Sequence, residues 1–290
     1  MVRDRATPPT LPEGRTIKLP GRGTTFVREV AGPPGAAVLV LLHGWTATAA
    51  LNWHPSFEPL GRRFRVLAID HRGHGRGIRS RRAFRLEDCA DDVAALADQL
   101  GIDQLIPVGY SMGGPIAMLV WHRHQALVSG LVLCATAARF TGFRAADRIW
   151  VPSMLGLSLA ASLLPLAVRR RFMAQFVSNR YDGTHLAGWA ADELARNDPV
   201  ALLRAGAALG RFDPRPWLGT IDVPTSVVVT EADRVVPPSR QRGLAQSILG
   251  AETFTVDGDH TVCGTSAARF VPVLAQACES VVRRSPRTVS

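Results

Sequence analysis

Val108-Gly109-Tyr110-Ser111-Met112-Gly113-Gly114 decides the fold. It stands between a short apolar stretch, residues 104–108, and a run with helical spacing from 112 to about 124. Gly109 and Gly113 let the chain turn sharply from strand to helix without Cβ clashes, which leaves Ser111 exposed at the tip. A serine hydroxyl is a poor nucleophile unless such a turn presents it beside a base. The helix that follows also aims free N–H groups and its positive dipole end at nearby developing charge. Gly-x-Ser-x-Gly is a weak signal alone. Its position between strand and helix gives it weight.

Outward from that turn the chain repeats one rhythm. Residues 25–30 read as a strand ending in Ala31-Gly32-Pro33-Pro34-Gly35, and 37–42 form a continuous apolar run suited to a strand buried on both faces. A strand is expected at 65–69 and a helix at 86–100, with Leu86, Ala90, Val93, Leu96 and Leu100 on one side. Residues 128–133 give a further strand. Alternation of this kind predicts an α/β fold with a mostly parallel, doubly wound sheet. It breaks off over 135–216, a section rich in Ala and Leu with Trp150 and Trp189 inside it, which reads as a helical cap inserted into the sheet domain. The rhythm resumes with a strand at 225–230, a helix at 239–248, a strand at 252–256 and a closing helix at 266–282. The expected organisation is a poorly ordered arm over 1–15, a core of 16–134 and 217–284, and a cap of 135–216.

With 290 residues, the chain can bury a large core without disulfides or metals. The balance of 47% hydrophobic and 20% charged residues excludes a disordered chain. The net charge is +10, yet Lys18 is the only lysine, and the arginines are spread along the chain without a nucleic-acid-binding signature. Compositional bias explains this charge better than a nucleic-acid partner. Cys89, Cys134, Cys263 and Cys278 have no metal-ligand spacing, and a reducing compartment suits them. Residues 1–15 carry Pro and charge where a signal peptide has an apolar run, so the expected location is cytoplasmic. Residues 151–168 contain no charge and precede Arg169-Arg170-Arg171. That run is short for a membrane span and contains Pro152 and Pro165. A cap helix over an apolar pocket is expected, with contact to a lipid surface, basic edge on the headgroups, as the alternative.

The turn at Ser111, His43-Gly44-Trp45 after one buried strand and Asp70-His71-Arg72-Gly73-His74-Gly75 after the next together resemble the α/β-hydrolase superfamily, from about residue 25 to 282. The resemblance implies backbone N–H groups of Trp45 and Met112 as an oxyanion hole. It casts His43, Asp70, Arg72, Gly73 and Gly75 as architectural, and His71 and His74 as solvated or bonded within their loop. The family's chain order is nucleophile, acid, histidine. Of eight histidines only His260 follows the last strand, so it is the expected base. Asp233, in Glu231-Ala232-Asp233-Arg234-Val235-Val236-Pro237, is the expected acid, with Glu231 as alternate.

Ser-His-Asp suits acyl-enzyme chemistry, whereas epoxide hydrolases and dehalogenases of this fold carry Asp at the elbow. The expected function is hydrolysis of a carboxylic ester with an apolar acyl group, for example a monoacylglycerol-like lipid. A C–C hydrolase of ring-cleavage products and a cofactor-free perhydrolase share the triad, and a ligand-binding protein on the same scaffold is the non-enzymatic alternative. The substrate pocket is expected to include Tyr110, Trp150, Met154 and Leu155. No metal or organic cofactor is implied.

Overall fold

A computed structural model describes residues 8–80, 82–142, 148–165, 168 and 186–285. The strands are β1 (Gly14–Leu19), β2 (Gly23–Val30), β3 (Val38–Leu42), β4 (Arg65–Ile69), β5 (Ile106–Tyr110), β6 (Leu131–Cys134), β7 (Thr225–Thr230) and β8 (Glu252–Val256). They form one sheet in the order β1-β2-β4-β3-β5-β6-β7-β8. β2 pairs antiparallel with β1 and β4, and every pairing from β4 through β8 is parallel.

The continuous apolar runs follow from burial on both faces. Leu39 and Leu41 of β3 pack with Trp53 of α1 (Ala49–Trp53), with Phe57 and Leu60 of α2 (Phe57–Gly61), and with Phe270 and Leu274 of a long C-terminal helix. Val40 and Leu42 point the other way, to Val93 and Leu96 of α3 (Leu86–Gln99) and Ile116 and Val120 of α4 (Gly113–Arg123). Each fully buried Leu contributes about 1.5–3 kcal/mol. A one-residue slip in β3 would exchange the two faces, so the pattern also fixes register.

Among the described residues, the α-helices between β6 and β7 are α5 (Trp150–Leu163), α6 (Ala187–Leu194) and α7 (Pro199–Arg211). Asp198 caps α7, its carboxylate accepting from Val200 N at 2.9 Å and Ala201 N at 3.1 Å, with Pro199 at the first position. α5 packs along α7 with Trp150 and Met154 inward, whereas Leu159 (67% exposed) and Leu163 (80%) face out. Among the described residues no helix is long and apolar enough to cross a membrane. After β7 come α8 (Pro238–Gln246), β8, the short α9 (Val262–Thr265) and α10 (Ala267–Arg284), the C-terminal helix that packs on β3.

Gly14 and Arg15, at the end of the span 1–15 expected as an arm, belong to β1 and pair with Arg28 and Val27. β1 is an edge strand in which only Leu19 is buried, so it carries almost no hydrophobic signal. Residues 1–7, and the Arg169-Arg170-Arg171 run, lie outside the described residues.

Candidate active site

Parallel strands end their side chains and loops at one edge of the sheet, and there the expected site residues gather. Ser111 sits between β5 and α4 with φ +52°, in the left-handed region that a side chain rarely adopts. Such strain costs about 1–3 kcal/mol and persists only where the surroundings hold it. Ser111 N–H donates to Cys134 O at 2.9 Å, and Ser111 O accepts from Thr136 Oγ1 at 2.8 Å. A Cβ on Gly109 would strike the Gly113 carbonyl, and one on Gly113 the Leu42 carbonyl. Both glycines are therefore required by close backbone approach.

His260 stands in the loop between β8 and α9. Its Nε2 lies 3.0 Å from Ser111 Oγ, and its Nδ1 lies 2.7 Å from Asp233 Oδ2. A carboxylate only accepts, so Nδ1 carries the proton and Nε2 presents its lone pair to the serine hydroxyl. The Asp233 side chain is fully buried and that of His260 is 12% exposed. Asp233 Oδ1 accepts from Val235 N (2.8 Å) and Val236 N (2.9 Å), and Oδ2 accepts from Thr230 Oγ1 (2.8 Å) as well as His260. Burial alone would raise the Asp233 carboxyl. The hydrogen bond and charge of His260, with the Val236 N–H and the Thr230 hydroxyl, outweigh it and hold the group below the usual carboxylate range. Glu231, the alternate acid, instead pairs with Arg242 at the surface.

The His43-Gly44-Trp45 loop lies against the elbow, because a Cβ on Gly44 would sit 3.4 Å from Ser111 Cβ. Asn52 Oδ1 accepts from Gly44 N at 3.0 Å, a support that no sequence pattern announced. His43 donates from Nδ1 to Gly44 O (2.9 Å) and accepts at Nε2 from His71 N (3.0 Å), so both its nitrogens are engaged in shaping the loop. Neither Trp45 N–H nor Met112 N–H has a hydrogen-bond partner among the described residues. The Trp45 indole N–H donates to Leu202 O of α7 at 2.8 Å, and Trp150 Nε1 donates to Gly206 O at 2.9 Å. The two indoles meet edge to face at 5.9 Å.

His71 and His74 are buried, in contrast to the solvated placement left open by the sequence. With His43 they form a cluster with ring centroids 4.3 and 5.2 Å from His43. Burial lowers His43 to about 4 and His74 to about 3, and pushes His71 well down, so all three are neutral near neutral pH. Asp70 accepts from Ala49 N and Arg76 N at 2.8 Å each and ties that loop to α1.

The expected pocket residues divide. Trp150 and Met154 face Trp45 and α7. Leu155 lies on the exposed side of α5. Tyr110 points into the core against Trp53 and Phe270, because in β5 it shares a face with Ile106 and Val108. Its hydroxyl donates to His260 O at 3.0 Å, so it touches the site through the histidine loop and not through a pocket.

Residues 37–267 match the family described as the alpha/beta hydrolase fold. The chain is 30% identical to the "AB hydrolase superfamily protein YisY" of Bacillus subtilis over 81% of its own length and 89% of that protein's. It is 30% identical to a pimeloyl-[acyl-carrier protein] methyl ester esterase of Neisseria meningitidis, over 79% and 89%. Among solved structures it resembles the enol-lactonase from Burkholderia xenovorans LB400, with TM-score 0.75, 25% identity, and coverage of 91% of this chain and 100% of that one. Sheet order, strand-to-helix turn and sequence match agree, and the chain belongs to the α/β-hydrolase family.

Proposed function

We propose that the protein is a serine hydrolase cleaving a carboxylic ester with an apolar acyl group. The observation that carries this reading is the hydrogen-bonded line Ser111 Oγ–His260 Nε2 at 3.0 Å and His260 Nδ1–Asp233 Oδ2 at 2.7 Å. Ser111 attacks the ester carbonyl as His260 Nε2 takes its proton. The N–H groups of Trp45 and Met112 receive the developing oxyanion, a contribution of about 10²–10³ in rate per donor in related chemistry. His260 then protonates the leaving alkoxide, and water releases the acyl group by the same steps. Asp233 keeps the imidazole in the productive tautomer and stabilises its charged form.

Residues 16–134 and 217–284 form the catalytic body in this reading, and 135–216 a cap that selects substrate. Trp45, Trp150 and Met154 support an apolar acyl group. The Neisseria relative is named for a methyl ester and the Burkholderia neighbour for an enol-lactone, both acyl–oxygen bonds. The uncharged α5, with Leu159 and Leu163 outward, supports contact of the cap with lipid-like esters at an interface. The test is hydrolysis of p-nitrophenyl esters from acetyl to palmitoyl by wild type and Ser111→Ala. Ser111-dependent activity highest on medium or long chains is expected. Activity confined to acetyl esters would shift the assignment to the perhydrolase or C–C hydrolase chemistry.

A further inference from the structure

Behind the acid lies a buried polar cluster that ester hydrolysis does not by itself require. Gln241 of α8 is completely buried, as is Thr230 at the end of β7. The orientation of the Gln241 amide is fixed by two backbone groups. Its Oε1 accepts at 3.0 Å from Thr230 N–H, which can only donate, and its Nε2 donates at 2.7 Å to Val236 O, which can only accept. The second Nε2 hydrogen is left for Thr230 Oγ1 at 2.7 Å, with Asp233 Oδ2 farther off at 3.3 Å. A threonine hydroxyl has one hydrogen. With a lone pair occupied by Gln241, that hydrogen is directed to Asp233 Oδ2 at 2.8 Å.

We propose that Gln241 and Thr230 are positioning residues of the triad: the Gln241 amide orients the Thr230 hydroxyl, and the hydroxyl fixes the Asp233 oxygen that receives His260 Nδ1–H. This rests on Ser111, His260 and Asp233 acting as the catalytic triad. The distances rank the paths, since at 3.3 Å the direct Gln241–Asp233 contact is the weaker one, and Gln241 acts mainly through Thr230. Oδ2 divides its negative charge between the hydroxyl and the imidazole. A hydrogen bond to a carboxylate favours the ionised form and weakens its pull on a neighbouring proton. Without the hydroxyl, Oδ2 holds the imidazolium more strongly. The other titratable groups around His260 are Ser111 and Tyr110 on its β5 side, Cys263 of α9 beside Tyr110, and Asp259, which bonds Thr261. Substitutions at Thr230 and Gln241 change none of these.

The decisive variant is Thr230→Val, which keeps shape and removes only the hydroxyl. On p-nitrophenyl butyrate it is expected to lower kcat about tenfold, because the carboxylate that orients His260 loses its fixed position, with KM unchanged. The acid limb of its kcat/KM profile is expected to move up by about half a pH unit. Thr230→Ser restores both values. Gln241→Met reproduces most of the loss in the wild-type background, yet adds less than about twofold on top of Thr230→Val, because the relay is already broken. A purely structural role would leave the acid limb in place and make the two losses multiply. Either of those results overturns the proposal. Should Gln241→Met fail to fold, the Thr230→Val and Thr230→Ser pair decides alone. Full activity in Ser111→Ala would mark a different failure, that of the triad itself.

Discussion

Replacing Asp233 by Asn changes one atom type in a fully buried side chain, and the surrounding hydrogen bonds dictate how the new amide must sit. Val235 N–H and Val236 N–H, both donors, meet Oδ1 at 2.8 and 2.9 Å. The amide oxygen of Asn must occupy that position. Its NH₂ group therefore takes the place of Oδ2, facing His260 Nδ1 at 2.7 Å and the Thr230 hydroxyl at 2.8 Å. A donor now confronts Nδ1, so the imidazole turns its lone pair there and carries its proton on Nε2. That proton points at Ser111 Oγ, 3.0 Å away, and the base can no longer take the serine proton. The same change in a Ser-His-Asp protease lowers kcat by about 10⁴, which corresponds to about 5.4 kcal/mol at 1.36 kcal/mol per tenfold. Stopped-flow release of p-nitrophenol from the butyrate ester reads the acylation rate. A loss of about 10³–10⁴ with the fold retained by circular dichroism is expected for Asp233→Asn. A rate within threefold of wild type would show that the tautomer argument is wrong.

The buried histidines set the acid stability. His43 and His74 are held at about 4 and about 3 in the fold against an ordinary 6.5, so below pH 6.5 the unfolded chain binds the extra protons and stability falls. Each is expected to remove about 2 kcal/mol between pH 7 and pH 5. Urea midpoints that stay constant over that range would refute this. Gly206→Ala places a Cβ 2.8 Å from Trp45 Cζ2 and 3.3 Å from Met154 Sδ. Ala gains about 1 kcal/mol of helix propensity over Gly, so the melting temperature should change little while kcat/KM falls several-fold. A parallel loss of both would argue against a specific link between α7 and Trp45. Tyr110→Phe removes the 3.0 Å bond to His260 O and is expected to lower kcat about three- to tenfold with KM unchanged. A rise in KM alone would return Tyr110 to the pocket.

Much of this was legible in the sequence where the pattern is local. β4, β7 and β8 span the ranges expected for them, 65–69, 225–230 and 252–256, and the Ser111 turn announces itself by its glycines. Residues that matter through long-range contacts were harder to read. β1 buries only Leu19 and has no period to detect. α5 is apolar all round, so periodicity could not tell that Met154 faces inward and Leu155 outward. Tyr110 was readable in principle. Alternation along β5 puts it with Ile106 and Val108, away from the elbow's open side. Gln241 gives no signal, because a glutamine on a polar helix becomes buried only once β7 and the Asp233 loop close around it.

Covalent labelling with a fluorophosphonate, followed by mass spectrometry of the peptide containing residues 109–114, tests the nucleophile without any assumption about substrate. One adduct on Ser111 is expected in the wild type, with labelling slowed by orders of magnitude in His260→Ala and absent in Ser111→Ala. An adduct on another residue, or equal labelling in Ser111→Ala, would mean that the chain does not use the serine the elbow presents.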